Sequence, residues 1–319
     1  MNRNLALEFV RVTEMAAIAS ARFMGRGDEE GAFAASIEAM RCMLDSVDCK
    51  ATVVIGPGGD MTESSSLKVG EQVGSGRGPH LEIALDPLEG ISVCAMGGQN
   101  SLSVMAIAEK GSLLPIPAGM YMEKLGTGPE GKAVIDILET PKENLKRLAE
   151  VKNSRISDLT AVVLDRERHL DLIDDIRVAG ARIQMIKDGD VAGAISTCLP
   201  ASGIDILFGT GGATEGIIAA SALRCLGGGL QGILRPENDE QVQKANTRGI
   251  TDFNKVFDIE EMASGDVMFC STGVTNGSFL EGVKFKNWGA ITHSKVMRSS
   301  SGTIRDIKAE HHFDRKPRY

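Results

Sequence analysis

Three strand-then-helix patterns follow one another between residues 161 and 225, and they constrain the fold more than any other feature of the chain. Residues 161–164 form a short apolar run, followed by helical spacing near 170–178. Residues 182–186 precede a helix near 191–197, and residues 204–208 precede one from about 214 to 225. Parallel strands need a crossover between them, usually a helix, so this alternation predicts an α/β protein with a mainly parallel sheet in its C-terminal half. The first half reads differently. Helical spacing over 5–24 and 32–44 is followed by strand-like runs at 51–55, 81–85 and 101–108. The change of texture predicts two α/β domains, 1–150 and 151–319, with mixed sheets overall.

A chain of 319 residues with 42% hydrophobic and 24% charged residues can bury one large core or two medium ones. The formal charge of −8 argues against a nucleic-acid partner, which needs a basic face. Cys42, Cys49, Cys94, Cys198, Cys225 and Cys270 show neither metal-ligand nor redox spacing. They read as reduced core thiols of a cytoplasmic protein. No apolar run reaches 18 residues, which predicts no membrane span. The N-terminus leads into an amphipathic helix pattern rather than a signal peptide.

Chemistry concentrates at strand ends. Residues 86–90 read Asp-Pro-Leu-Glu-Gly, and two carboxylates three apart around a proline can converge on one hard cation. Lys187-Asp188-Gly189-Asp190 and Gly211-Gly212-Ala213-Thr214-Glu215-Gly216 each open a helix. In open α/β sheets, ligands bind outside the carboxyl ends of strands, and helix N-termini there offer N–H groups to phosphate. Asp190 and Glu215 read equally as ordinary helix caps. Arg166 and Arg168, one residue apart, can present forked donors to a phosphate or form a solvated turn. His169 reads as a surface residue at a helix start, and His311 and His312 as solvated tail residues.

Taken together, several of these segments resemble the class II fructose-1,6-bisphosphatases of bacteria. The resemblance rests on 5–14, Met24-Gly25-Arg26-Gly27-Asp28, Val54-Ile55-Gly56, 86–90, 120–125, 188–192 and 211–216, and it runs over nearly the whole chain. It implies a layered sugar-phosphatase fold with alternating α and β layers, a homo-oligomer, Mg²⁺ or Mn²⁺ as cofactor, and removal of the 1-phosphate from fructose 1,6-bisphosphate, a gluconeogenic step. It places metal contacts on Asp86, Glu89 and Glu215. It places substrate contacts on Glu89, Gly90, Tyr121, Arg166, Arg168, Asp188, Asp190 and Gly212.

The departures from the family pattern cluster. Phe33 stands where the family has an aspartate, Pro57 in Gly56-Pro57-Gly58-Gly59 where it has the first glutamate of Gly-Glu-Gly-Glu, and Ile91 where it has a threonine. Neither phenylalanine nor proline offers a side-chain oxygen to a cation, and isoleucine cannot hydrogen-bond a water. Two readings follow. Asp60 or Glu63, on the rewritten loop, replaces a lost catalytic ligand, with Thr62 or Ser64 supplying a hydroxyl. Alternatively, catalysis is weakened and the protein is a sugar-phosphate sensor or regulatory subunit.

Overall fold

The computed structural model describes residues 5–57 and 67–315, and these divide into two compact units. The first comprises residues 1–113 and 265–319, the second residues 114–264. The boundary expected near residue 150 falls inside a helix of the second unit. Texture misplaced it because the chain leaves the first unit and later returns to complete its sheet.

Along the first unit come α1 (Leu5–Ala21), α2 (Glu29–Leu44), β1 (Lys50–Ile55), β2 (Gln72–Val73), β3 (His80–Glu89), α3 (Ile91–Met96) and β4 (Leu102–Glu109). The second unit then contributes β5 (Tyr121–Thr127), α4 (Pro141–Val151), β6 (Thr160–Leu164), α5 (Leu170–Ala179), β7 (Arg182–Ile186), α6 (Asp190–Ser196), β8 (Ile206–Gly212), α7 (Ala213–Leu226), β9 (Gly229–Arg235), α8 (Asp239–Asn246), β10 (Val256–Asp258) and α9 (Ile259–Met262). The chain returns to the first unit with β11 (Val267–Gly273), β12 (Lys284–Lys286), β13 (Gly289–Arg298) and β14 (Thr303–His312).

The first unit is built on an eight-stranded sheet with the path β12-β13-β11-β4-β3-β1-β2 and β14 paired to β13. Among the described residues its only parallel pairing is β1 with β3. Phe9, Val12 and Ala16 of α1 and Phe33, Ile37, Met40 and Leu44 of α2 share one core cluster with Val53, Ile83, Met105, Met268 and Cys270 of the sheet. The helices present that face because their apolar residues recur at three- and four-residue intervals. Asp28 starts α2 by accepting the Gly31 N–H at 2.8 Å.

The second unit holds a six-stranded sheet in the order β10-β9-β5-β8-β6-β7. Here the expectation of a mainly parallel sheet needs correction. Among the described residues only β6–β7 and β6–β8 run parallel in this sheet; β5–β8, β5–β9 and β9–β10 are antiparallel. The three strand-helix units do make parallel pairings. The strand at 121–127 carries Lys and Gly among its apolar residues, escapes a periodicity reading, and enters antiparallel between β8 and β9.

Other corrections are local. Cys42 is exposed, whereas Cys49, Cys94, Cys225 and Cys270 are buried. His311 and His312 lie at the end of β14 rather than in a solvated tail: His311 Nε2 is 2.9 Å from Thr292 Oγ1, and His312 stacks on Trp288 with ring centroids 4.5 Å apart. Among the described residues, no helix is long and apolar enough to cross a membrane.

Phe9 is completely buried between α1 and the first sheet. Replacing it with alanine leaves a cavity, so Phe9→Ala should lower unfolding stability by about 3–5 kcal/mol, read from urea unfolding followed by circular dichroism.

Candidate functional site

In the first unit the 86–90 motif sits on a break in the β3–β4 ladder. Asp86 pairs with Val104, and the next register pair is Glu89 with Leu102, so β3 carries one extra residue across the break. Proline has no N–H to give a ladder, which makes Pro87 compatible with a bulge and not with continued pairing. Asp86 Oδ1 accepts the Leu88 N–H at 3.0 Å and tightens the turn. Glu89 is 2% exposed, and its carbonyl accepts the Ser101 hydroxyl at 2.9 Å. Gly90 follows at φ +78, a conformation that disfavours a side chain, and α3 begins at Ile91.

Two of the family departures have a clear structural place. Phe33, 7% exposed, is part of the first unit's core, and Ile91 packs against the same cluster. Pro57 is half-buried and directly follows Gly56, where an added Cβ would stand 2.3 Å from the Leu67 carbonyl oxygen. Asp60, Thr62, Glu63 and Ser64 lie outside the described residues.

The second unit gathers its candidates at one sheet edge. β6, β7 and β8 run parallel, so their carboxyl ends share that edge, and β5 starts there because it runs antiparallel to β8. Tyr121 stands in register with Gly212. The Arg168 guanidinium lies over the Tyr121 ring at 5.2 Å and donates to the Thr210 carbonyl at 2.8 and 3.0 Å. Arg166, half-buried, donates to the carbonyl of Asp165 at 2.9 Å. Asp188 accepts the Gly189 N–H at 3.0 Å, and Asp190 opens α6.

Asp190 forms an ion pair with Lys124, which is 4% exposed and also donates to the Gly212 carbonyl at 3.0 Å. Half-buried Glu215 accepts the Thr214 hydroxyl at 2.6 Å. Burial and the neighbouring Asp190 hold its carboxyl above the usual range, partly offset by Lys124 and Thr214. A Cβ on Gly212 would come within 1.9 Å of Glu215 Oε2, so a side chain there would displace the Glu215 carboxylate.

Lys124 and His169 escape sequence reasoning. The only signal for Lys124 is a Glu-Lys pair set between Met122 and Leu125. His169 is 2% exposed, not a surface residue. Its Nε2 accepts the Thr210 N–H at 2.8 Å, which leaves Nδ1–H to donate to the Leu164 carbonyl at 2.8 Å. Arg168 grips one side of residue 210 and His169 the other, so the approach to Gly211 and Gly212 is pinned. Within neither unit do three His, Cys, Asp or Glu side chains among the described residues stand together as a ready metal-binding group.

In open α/β sheets, small polar ligands bind outside the carboxyl ends of parallel strands, and the second unit collects acidic, basic and glycine positions at that edge. The sequence comparisons identify the family. A family model described as bacterial fructose-1,6-bisphosphatase, glpX-encoded, matches residues 3–311, and the chain belongs to that family. Its relatives include the D-fructose 1,6-bisphosphatase class 2/sedoheptulose 1,7-bisphosphatase of Synechococcus sp. (strain JA-2-3B'a(2-13)), 42% identical over 98% of this chain and 97% of the relative. Fructose-1,6-bisphosphatase 1 class 2 of Escherichia coli (strain K12) is 41% identical over 99% and 97%.

Burial holds the His169 imidazole below its ordinary value of 6.5, although its bond to Leu164 works the other way. The native state therefore resists the proton that the unfolded chain accepts, and stability present above about pH 6.5 is lost as pH falls through the depressed value. The stability advantage of the wild type over His169→Ala should shrink between pH 7 and pH 5 in urea unfolding; an advantage independent of pH would contradict a buried neutral imidazole.

Proposed function

We propose that this protein binds a sugar bisphosphate together with a divalent cation, Mg²⁺ or Mn²⁺, and hydrolyses the 1-phosphate of fructose 1,6-bisphosphate at a reduced rate. Family membership and the relatives' names support the substrate class. The same membership supports reading the two α/β units as a layered sugar-phosphatase fold, and the protein as a cytoplasmic homo-oligomer. The observation that carries the reduced rate is the burial of Phe33 and the packing of Ile91 in one apolar cluster.

The donor chemistry fits one hard cation. Asp86 and Glu89, held by the β3 bulge of the first unit, offer carboxylate oxygens, the ligand type Mg²⁺ and Mn²⁺ prefer. When bound, such a cation polarises phosphoryl oxygens and lowers the pKa of a coordinated water. Phe33, Pro57 and Ile91 do not fit a second cation with a positioned water. Asp60 or Glu63 would have to supply the missing carboxylate.

The remaining roles belong to the chain itself. Arg166 and Arg168 offer forked donors to the phosphate. The Tyr121 ring and the Gly212 backbone bound the sugar, and Asp188 and Asp190 accept its hydroxyls. Gly90, lacking a side chain, allows close approach of a phosphate.

Phosphate release from fructose 1,6-bisphosphate with Mn²⁺ or Mg²⁺ tests the proposal. Asp86→Asn and Glu89→Gln should each cut turnover at least tenfold. The triple change Phe33→Asp, Pro57→Glu and Ile91→Thr should raise it. No release above background with any sugar bisphosphate, combined with calorimetric binding of the same compounds, would leave the sensor as the correct reading. Activity unmoved by the triple change would show that the altered positions do not limit the rate.

A further inference from the structure

We propose that Lys124 is a positioning residue for sugar recognition: it fixes Asp190 so that one carboxylate oxygen faces an incoming hydroxyl. The inference rests on the assignment of Asp190 to sugar contact made above.

Lys124 sits in the middle of β5 with its ammonium withdrawn from water. Two of its three N–H donors are used, one by Asp190 Oδ2 and one by the Gly212 carbonyl. Gly211 leaves room for the charges to pack together. A Cβ on Gly211 would stand 2.6 Å from Asp190 Oδ2 and 3.0 Å from Lys124 Nζ.

A stabilising role does not explain this arrangement. Desolvating two charges offsets most of their attraction, and well-packed apolar replacements of such pairs are often neutral or stabilising. What the pair does provide is orientation. The Asp190 side chain is 12% exposed, so it reaches the ligand edge. Its Oδ2 is engaged by Lys124, and its Oδ1 has no hydrogen-bond partner among the described residues. A carboxylate held this way presents a single acceptor in a fixed direction, a geometry suited to a sugar hydroxyl. With the Lys124 ammonium removed, Asp190 would lose its fixed rotamer.

The test is a double-mutant cycle on the full chain: wild type, Lys124→Met, Asp190→Asn, and Lys124→Met with Asp190→Asn. Fructose 1,6-bisphosphate is titrated by calorimetry with Mn²⁺ present, and KM and kcat are measured for phosphate release. Circular dichroism monitors folding, and the double variant, which leaves no charge unanswered, covers the case in which Lys124→Met alone does not fold. Lys124→Met should weaken sugar binding and raise KM at least tenfold, with kcat changed much less. The double variant should be no weaker than Asp190→Asn alone, because Lys124 acts through Asp190. Losses that simply add, or a folded Lys124→Met that binds like wild type, would overturn the inference while leaving the proposed function standing. Failure of the wild type to bind the sugar bisphosphate would remove both.

Discussion

Lys124 places a positive charge where water hardly reaches it, and much of the second unit's ligand edge follows from answering that charge. A buried ammonium needs oxygens at hydrogen-bonding distance, and the chain supplies them from the start of α6 and the end of β8. Gly211 leaves room for this pairing: a Cβ there would stand 2.6 Å from Asp190 Oδ2 and 3.0 Å from Lys124 Nζ. Holding Gly211 and Gly212 in place in turn requires a fixed approach, which Arg168 and His169 provide by binding both sides of residue 210. One desolvated charge thus brings together the start of α6 and the end of β8, beside a buried histidine that holds residue 210.

The first unit solves a different problem. Its sheet carries α1 and α2 on an apolar face, and the motif at 86–90 must leave the β3–β4 ladder without exposing that core. The bulge achieves this. Leu88 stays buried, Glu89 is braced through Ser101, and Gly90 reverses the chain into α3. Phe33 and Ile91 extend the same apolar cluster toward this segment. The changes are mutually consistent as packing, which is why the fold tolerates them although they remove polar groups that the family uses.

A good part of this was legible before any coordinates. β1, β7, α5 and α7 follow from apolar periodicity and β-branched runs, because local spacing decides which face of an element is buried. The candidate positions Asp86, Glu89, Asp188, Asp190, Gly212 and Glu215 stand out because glycine, proline and carboxylates punctuate strand ends. β5 was not legible. Its Lys124 and Gly126 break the apolar pattern, and their reason lies in neighbours remote in sequence: Asp190 and the Gly212 carbonyl for the lysine, and β9 for the glycine, where a Cβ would stand 2.9 Å from a Leu230 methyl. His169 was misread for the same cause, since a histidine beside two arginines looks solvated until Leu164 and Thr210 close on it.

The sequence by itself determined the family, the α/β class and the identity of the residues available for chemistry, because these depend on residue types at short spacing. The direction of β5, the mixed character of the second sheet and the return of β11 to β14 to complete the first were decided only by tertiary structure. So was the pairing of Lys124 with Asp190. Each depends on contacts between residues dozens to hundreds of positions apart, whose energies come from burial and desolvation that no local window contains.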